Sequence, residues 1–274
     1  MRTRVFLFAA LLIVCSSCRN RQATSGAPDG LRVAFFDVGQ GDAALLQTPE
    51  GTTIVFDTGH NGEIVPLLHA EGVSRIDLLV LSHSHADHTG GLASILRTFS
   101  VSEIWYAGPF RGRVQKILAN TGITETVAAG KTRTIGRLSL FVLHPEPNSD
   151  KGDGGESEVN NRSLVVKAEY GGSRYMFPGD CELGCWQEIF NLHRSELHAD
   201  VLKAAHHGSW NGTNSGVLGN VHPSTVVISC GRENPYGHPH EIVLRLIQKL
   251  GATLFRTDQQ GTIHCAGVSC KAGT

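Results

Sequence analysis

The chain has 274 residues, 41% of them hydrophobic and 18% charged, with a formal net charge of −1. That length suits one large domain or two small ones with a sizeable core. The near-neutral balance argues against a strongly basic, general nucleic-acid-binding surface and leaves room only for a local basic groove.

Residues 1–17 read as a targeting segment outside the fold. Arg2 and Arg4 form a positive start, and Val5 to Val14 is an unbroken apolar run of ten, short for a bilayer span but right for a signal core. Cys15-Ser16-Ser17-Cys18 follows and resembles a bacterial lipobox, with Cys15 where Leu is usual. That resemblance implies cleavage before Cys18 and a lipid on it: an exported, membrane-anchored lipoprotein on the periplasmic or cell-surface side. An ordinary secretory signal cleaved near Ser17 and an uncleaved anchor are the alternatives. Residues 18–30 are polar with Gly and Pro and read as a flexible tether. Residues 31–274 are the folded domain.

In chain order, Leu31 to Asp37, Ala43 to Gln47 and Thr53 to Phe56 are strand candidates, the last two tied by Pro49-Glu50-Gly51. Ile64 to Ala70 has helical apolar spacing with Gly72 as a stop. Ile76 to Leu81 is a strand, Gly91 to Phe99 a helix, Glu103 to Tyr106 a strand, Arg111 to Asn120 a helix and Arg137 to Leu143 a strand. Asn148 to Asn160 is polar, glycine-rich and acidic, and reads as a loop between two halves of similar design. The second half has a hairpin, Ser163 to Tyr170 and Arg174 to Phe177, around Gly171-Gly172. Glu182 to Leu192 and His240 to Leu250 read as helices; Val201 to Ala205, Val226 to Ser229, Leu254 to Thr257 and Thr262 to His264 read as strands. Two such halves suggest two sheets face to face with helices outside.

Export permits disulfides. Cys265 and Cys270 can close a hairpin, Cys181 and Cys185 lie one helical turn apart, and with Cys230 the odd count leaves a thiol unmatched.

The chemistry concentrates at His83 to His88, HSHADH, directly after the apolar run ending at Leu81 and before Thr89-Gly90-Gly91. Imidazole and carboxylate are the ligands that borderline divalent metals prefer. His83 and His85, two apart on extended backbone, point the same way, and Asp87-His88 can turn to a different point. One turn can thus serve two adjacent metals. Other strands end in Asp57, in Gly179-Asp180 and in His206-His207, which predicts several strand ends converging on one cleft. Asp57 reads as an Asp that holds a turn and orients a ligating histidine, more than as a ligand. Asp37 and Asp42 read as loop-fixing. His60, His69, His144, His193, His198 and His222 read as surface or satisfied residues.

HxHxDH after an apolar strand, with a later lone Asp and His, resembles the metallo-β-lactamase superfamily. The set Phe36-Asp37-Val38-Gly39-Gln40-Gly41-Asp42, Asp57-Thr58-Gly59, HSHADHTGG, Asn161-Arg162-Ser163-Leu164-Val165, Pro178-Gly179-Asp180, His206-His207-Gly208-Ser209 and Tyr236-Gly237-His238-Pro239 is similar to the hydrolase domain of ComEC-like competence proteins. The resemblance implies an α/β fold, an αββα sandwich of two mixed sheets with helices outside and two divalent metals at one edge, Zn²⁺ or also Mn²⁺. It implies that His83 and His85 hold one metal, that Asp87 and His88 hold the other, and that Asp180 bridges. A histidine of the HHGS run completes the second site, with His206 preferred and His207 the alternative. Asn161 stands where many superfamily hydrolases have a third histidine. It is a substrate contact if not a ligand, and Ser209, Asn234 and His238 are further candidate substrate contacts. Asp87 and Asp180 are the candidate catalytic residues.

The implied activity is an exported metal-dependent hydrolase, most simply a phosphodiesterase or nuclease acting on a phosphodiester, nucleic acid included. Hydrolysis of another ester (lactone, thioester or phosphocholine) and a non-catalytic, metal-stabilised binding protein are the alternatives.

Overall fold

The central strands Thr53–Phe56, Leu78–Leu81, Val201–Lys203 and Thr225–Ile228 are buried at every position because both of their faces are covered. The computed structural model describes residues 30–108, 110–147 and 155–273. The targeting segment, Cys18, residues 18–29 of the tether and residues 148–154 of the acidic loop lie outside the described residues. Among the described residues no helix is long and apolar enough to cross a membrane.

The first half supplies β1 (Arg32–Phe35), β2 (Ala44–Gln47), β3 (Thr53–Phe56), β4 (Arg75–Ile76), β5 (Leu78–Leu81), β6 (Ser100–Val101), β7 (Ile104–Tyr106) and β8 (Thr124–Thr126). Then come β9 (Thr132–Ile135), β10 (Leu138–His144), β11 (Val165–Tyr170), β12 (Ser173–Phe177), β13 (Val201–Lys203), β14 (Thr225–Ile228) and β15 (Thr253–Arg256). The last two are β16 (Ile263–Ala266) and β17 (Ser269–Ala272). One sheet has the order β17-β16-β1-β2-β3-β5-β7-β8, a second β15-β14-β13-β12-β11-β10-β9, and β4 pairs with β6 apart from both. The C-terminal hairpin therefore returns to the first sheet, with β16 antiparallel to β1.

Side chains alternate across each strand with period two. In β3 and β5, Ile54, Phe56, Leu78 and Val80 fill the space between the sheets, and Val55, Leu79 and Leu81 face outward. In β13 and β14, Val201 and Val227 face inward, and Leu202, Val226 and Ile228 outward. Helices α1 (Ile64–Ala70), α2 (Ala86–Thr89), α3 (Leu92–Thr98) and α4 (Gly112–Thr121) belong to the first half. Of these, α1, α3 and α4 cover the first sheet through Ile64, Leu68, Leu92, Ile95 and Leu118. After α5 (Glu156–Asn160), α6 (Leu183–Leu192), α7 (Ser215–Val221) and α8 (Glu241–Leu250) cover the second sheet through Trp186, Ile189, Val217, Val221, Val243 and Ile247. The layers are helix, sheet, sheet, helix, the αββα arrangement. Each fully buried Leu or Ile contributes roughly 1.5–3 kcal/mol.

Two expectations need correction. Ile76 to Leu81 is not one strand, because Asp77 interrupts it. Its Oδ2 accepts the Thr53 N–H at 2.8 Å and its own N–H reaches the Thr53 carbonyl at 2.9 Å, which separates β4 from β5. The acidic stretch is not a loop to its end, because Glu156–Asn160 forms α5 after Gly155. Glu156 and Glu158 sit in its first turn, where carboxylates complement the positive end of a helix. The disulfides are Cys181–Cys185 and Cys265–Cys270, the second linking β16 to β17, and Cys230 is free and buried.

Candidate metal centre

The polar ends of β3, β5, β12 and β13 meet at one edge of the sandwich. Backbone bonds hold them together: Leu164 N–H to the Ser82 carbonyl at 2.7 Å between the sheets, and His206 N–H to the Gly179 carbonyl at 3.2 Å within the second. The Asp180 N–H also donates to Ser163 Oγ at 3.0 Å. Two glycines make the approach possible. A Cβ on Gly41 (φ +143) would lie 2.4 Å from the Asp87 carbonyl oxygen, and one on Gly90 only 1.7 Å from the His60 carbonyl oxygen.

His83, His85 and Asp180 form the first group. His83 Nε2 and His85 Nδ1 stand 3.0 Å apart, and His83 Nε2 is 3.8 Å from Asp180 Oδ2. On its other side His83 Nδ1 meets Ser82 Oγ at 3.0 Å. Burial, reinforced by the neighbouring His88, pushes the His83 pKa well below the ordinary value, and burial also lowers that of His85. Both imidazoles are therefore held toward the neutral form, the one a metal needs.

The second group corrects the expected ligand set. Its histidine from the HHGS run is His207, not His206. His207 is 1% exposed, and its Nε2 lies 3.2 Å from Asp87 Oδ2 and 3.6 Å from Asp180 Oδ2. Its Nδ1 meets the Ser229 carbonyl at 3.0 Å, which fixes the tautomer that presents Nε2 to the cleft. His206 also lines the cleft, its Nε2 3.8 Å from Asp180 Oδ2, but it is less buried than His207 and its Nδ1 is engaged by Glu182 Oε1 at 3.1 Å. Both histidines are left-handed, with φ 49° and 53°, an arrangement that costs about 1–3 kcal/mol per non-glycine residue. His88 completes the group, its Nε2 3.2 Å from Asp180 Oδ1 and 4.0 Å from Asp87 Oδ2. Behind it, Asp57 Oδ2 holds His88 Nδ1 at 2.8 Å while both Asp57 oxygens bind Ser82 at 2.7 Å. Asp57 thus orients His88 from the side away from the cleft. Asp42 also approaches this group, but it faces Nδ1 of both His88 and His207 and pairs with buried Lys203, so it backs the imidazoles.

The donor set fits a metal. His83, His85 and Asp180 offer atoms all within 4.8 Å of one another, and Asp180 also belongs to the second cluster. His88 Nε2 and Asp180 Oδ1 are buried without a well-formed hydrogen bond. Burial would lower the His207 pKa, yet Asp180, Asp42 and Asp87 outweigh it and raise it to about 9. His88 is raised well above its ordinary value, against burial, by Asp180, Asp57 and Asp87. Burial opposes ionisation of Asp180 and Asp87, but His88 and His207 hold both well below the usual carboxylate range. Positive charge is thus stabilised here, and a divalent cation can replace the two protons.

The metallo-beta-lactamase superfamily model matches residues 36–231. The chain belongs to the metallo-beta-lactamase superfamily. It is 32% identical over 258 residues to ComE operon protein 3 of Bacillus subtilis, covering 85% of this chain and 32% of that protein. It is 31% identical over 237 residues to competence protein ComA of Neisseria gonorrhoeae, again 85% of this chain and 32% of the relative. The chain thus spans about a third of the length of these curated relatives. Tm1679, a solved metal-dependent hydrolase of the beta-lactamase superfamily, shares the fold at TM-score 0.54 and 13% identity, with 89% of this chain and 99% of that one aligned. The matched stretch carries the strand ends that bring this His/Asp cluster together, a candidate metal-binding site.

A cleft of about 940 Å³ opens over this superfamily centre, lined by His85, Asp87, Asp180, His207 and His238 among others. His60, read as a surface residue, also lines it. Three expected substrate contacts are otherwise engaged. Asn161 Oδ1 accepts the Cys185 N–H at 2.8 Å, capping the first turn of α6. Ser209 is buried and donates to Asn211 Oδ1 at 2.6 Å. Asn234 spends its whole amide on the loop around it. His238 does face the cleft, and burial together with neighbouring His206 and His207 lowers its pKa to about 3. The residue missed by sequence is Asn160. It is buried and lines the cleft, its Nδ2 donates to Glu182 Oε1 at 2.8 Å, and its Oδ1 has no partner. Its amide oxygen is available to a metal or a substrate.

Proposed function

We propose that this hydrolase cleaves phosphodiesters with two divalent metals, Zn²⁺ or Mn²⁺, one held by His83, His85 and Asp180 and the other by Asp87, His88, His207 and Asp180. The observation that carries this reading is the position of the Asp180 carboxylate, 3.2 Å from His88 and 3.8 Å from His83, between the two histidine groups. When bound, paired divalent metals make water acidic enough to supply hydroxide near neutral pH and neutralise charge on the phosphoryl oxygens. The protein's part is placement. Ionised Asp87 accepts a hydrogen bond from the attacking water and aims it. Ser229 and Asp57 keep His207 and His88 turned toward the cleft. His238, neutral at physiological pH, donates to or accepts from the substrate without adding charge. Similarity to competence proteins over 85% of the chain supports a phosphodiester substrate.

Purified mature protein, with metal content measured, tests the reading on bis-p-nitrophenyl phosphate with added Zn²⁺ or Mn²⁺, beside a lactone and nitrocefin. Phosphodiester cleavage lost in Asp87→Ala and His88→Ala supports it. Cleavage of the lactone alone moves the function to another ester, and bound metal without any turnover makes the chain a binding protein.

We propose further that the protein is exported and lipid-anchored at Cys18. The two disulfides support an oxidising compartment. Labelled palmitate should enter the wild-type chain and be absent from Cys18→Ala; no label in the wild type rejects the anchor.

A further inference from the structure

The loop from Gly231 to His238 is built around Asn234. Its Nδ2 donates to the carbonyls of Gly231 and His238 at 2.9 and 2.6 Å, and its Oδ1 accepts the N–H groups of Tyr236 and His238 at 3.2 and 3.0 Å. The loop backbone is thus fixed before any ligand arrives. It presents Tyr236 on the wall of the cleft with 63% of the residue exposed. The Tyr236 ring stacks on His238, with centroids 5.8 Å apart and planes 24° from parallel. His238 is in turn wedged edge-on against His206 and His240, at 5.2 and 4.9 Å. A large aromatic ring, held in place from behind and open to solvent in front, is prepared to receive another ring at little entropic cost.

The charges around it point the same way. Glu63, Glu156 and Glu182 line the cleft, and among the described lining residues there is no Lys or Arg. A polyanionic strand gains its affinity from such cations, so this cleft is not built to track a long backbone. Stacking on an aromatic side chain needs no charge and accepts any planar ring. The unpartnered Oδ1 of buried Asn160 adds one acceptor in the same cleft.

Building on the phosphodiester reading, we infer that Tyr236 is a specificity-determining platform: the substrate carries an aryl or nucleobase ring next to the scissile phosphate, and that ring is held by stacking on Tyr236. The site selects short, ring-bearing diesters over alkyl diesters and over long strands.

Calorimetric titration of the metal-loaded mature protein with adenosine 5′-monophosphate and with inorganic phosphate tests the platform without turnover. The wild type should bind the nucleotide about ten-fold tighter than phosphate. Tyr236→Phe should keep that gap and Tyr236→Ala should abolish it. Phosphate affinity should be equal in all three proteins, which also shows that the variants are folded. A gap that survives in Tyr236→Ala, or no gap in the wild type, overturns the inference. Turnover of bis-p-nitrophenyl phosphate by the same preparations tests the phosphodiester reading separately. Binding through Tyr236 without cleavage would reject that reading and leave the platform standing.

Discussion

Removing the metals and raising the pH should weaken the fold in a specific window. His207 is raised from 6.5 to about 9 in the metal-free protein by the carboxylates around it. A histidine with a raised folded-state pKa contributes stability that is fully present below 6.5 and is lost as pH climbs through the folded value. A rise from 6.5 to about 9 corresponds to roughly 3 kcal/mol, at about 1.36 kcal/mol per pKa unit. His88 moves in the same direction. The opposing limb comes from Asp180 and Asp87, whose lowered values add stability above about 4 that disappears in acid. His83, His85 and His238, whose values are lowered, lose stability as pH falls below 6.5, so the chelated protein should be most stable near pH 6.5. Its melting temperature should fall by about 6–12 °C from pH 6.5 to 9, since 1 kcal/mol moves a domain of this size by about 2–4 °C. The metal-loaded protein should show no such fall, because the cation takes the place of the protons and binds more tightly as they leave. Calorimetric melts of loaded and chelated protein at pH 6, 7, 8 and 9 measure both curves. A flat chelated curve across pH 6.5 to 9 would refute the charge arrangement assigned to His207 and His88.

Exchanging the two adjacent histidines separates their roles. His207→Asn should remove one metal per chain and lower hydrolysis at least a hundred-fold, whereas His206→Asn should keep the metal content unchanged, as read by elemental analysis. Asn161→Ala should cost about 1 kcal/mol in urea unfolding, the usual value of a lost helix cap, with KM unaltered; a raised KM would restore Asn161 to the substrate. Cys230, whose thiol burial pushes up to about 12, should resist a disulfide reagent at pH 8 until the protein is unfolded. Rapid labelling of the folded protein would contradict its burial.

The clustering of the HSHADH side chains was readable, because it needs only a strand end and a short turn to converge. The approach of Asp180 to that cluster was legible for the same reason, since it stands three residues after the end of β12. The choice between His206 and His207 was not. Nearness to the strand end favours the first, but both residues are left-handed and the second is the more buried, 3.2 Å from Asp87. Asn160 and Asn161 pose the same problem: where α5 stops decides which side chain faces the cleft and which caps α6. Ser209 and Asn234 look like substrate donors in sequence and prove to be loop fasteners, since a polar side chain near a cleft is as useful to the backbone as to a ligand. The sandwich was legible where strands are buried on both faces, as in β3, β5 and β14. The short polar edges β8, β9 and β17 carry no such run, and Gly216 and Gly219 conceal α7, whose start is set by the Asn214 side chain.

In the proposed centre one carboxylate, Asp180, would be shared between two metals. Elemental analysis of Asp180→Asn beside the wild type, both dialysed against trace Zn²⁺ and assayed on bis-p-nitrophenyl phosphate, tests this most directly. Two metals per chain are expected in the wild type, fewer than one in the variant, and loss of cleavage with them. A variant that keeps both metals and its activity would contradict it.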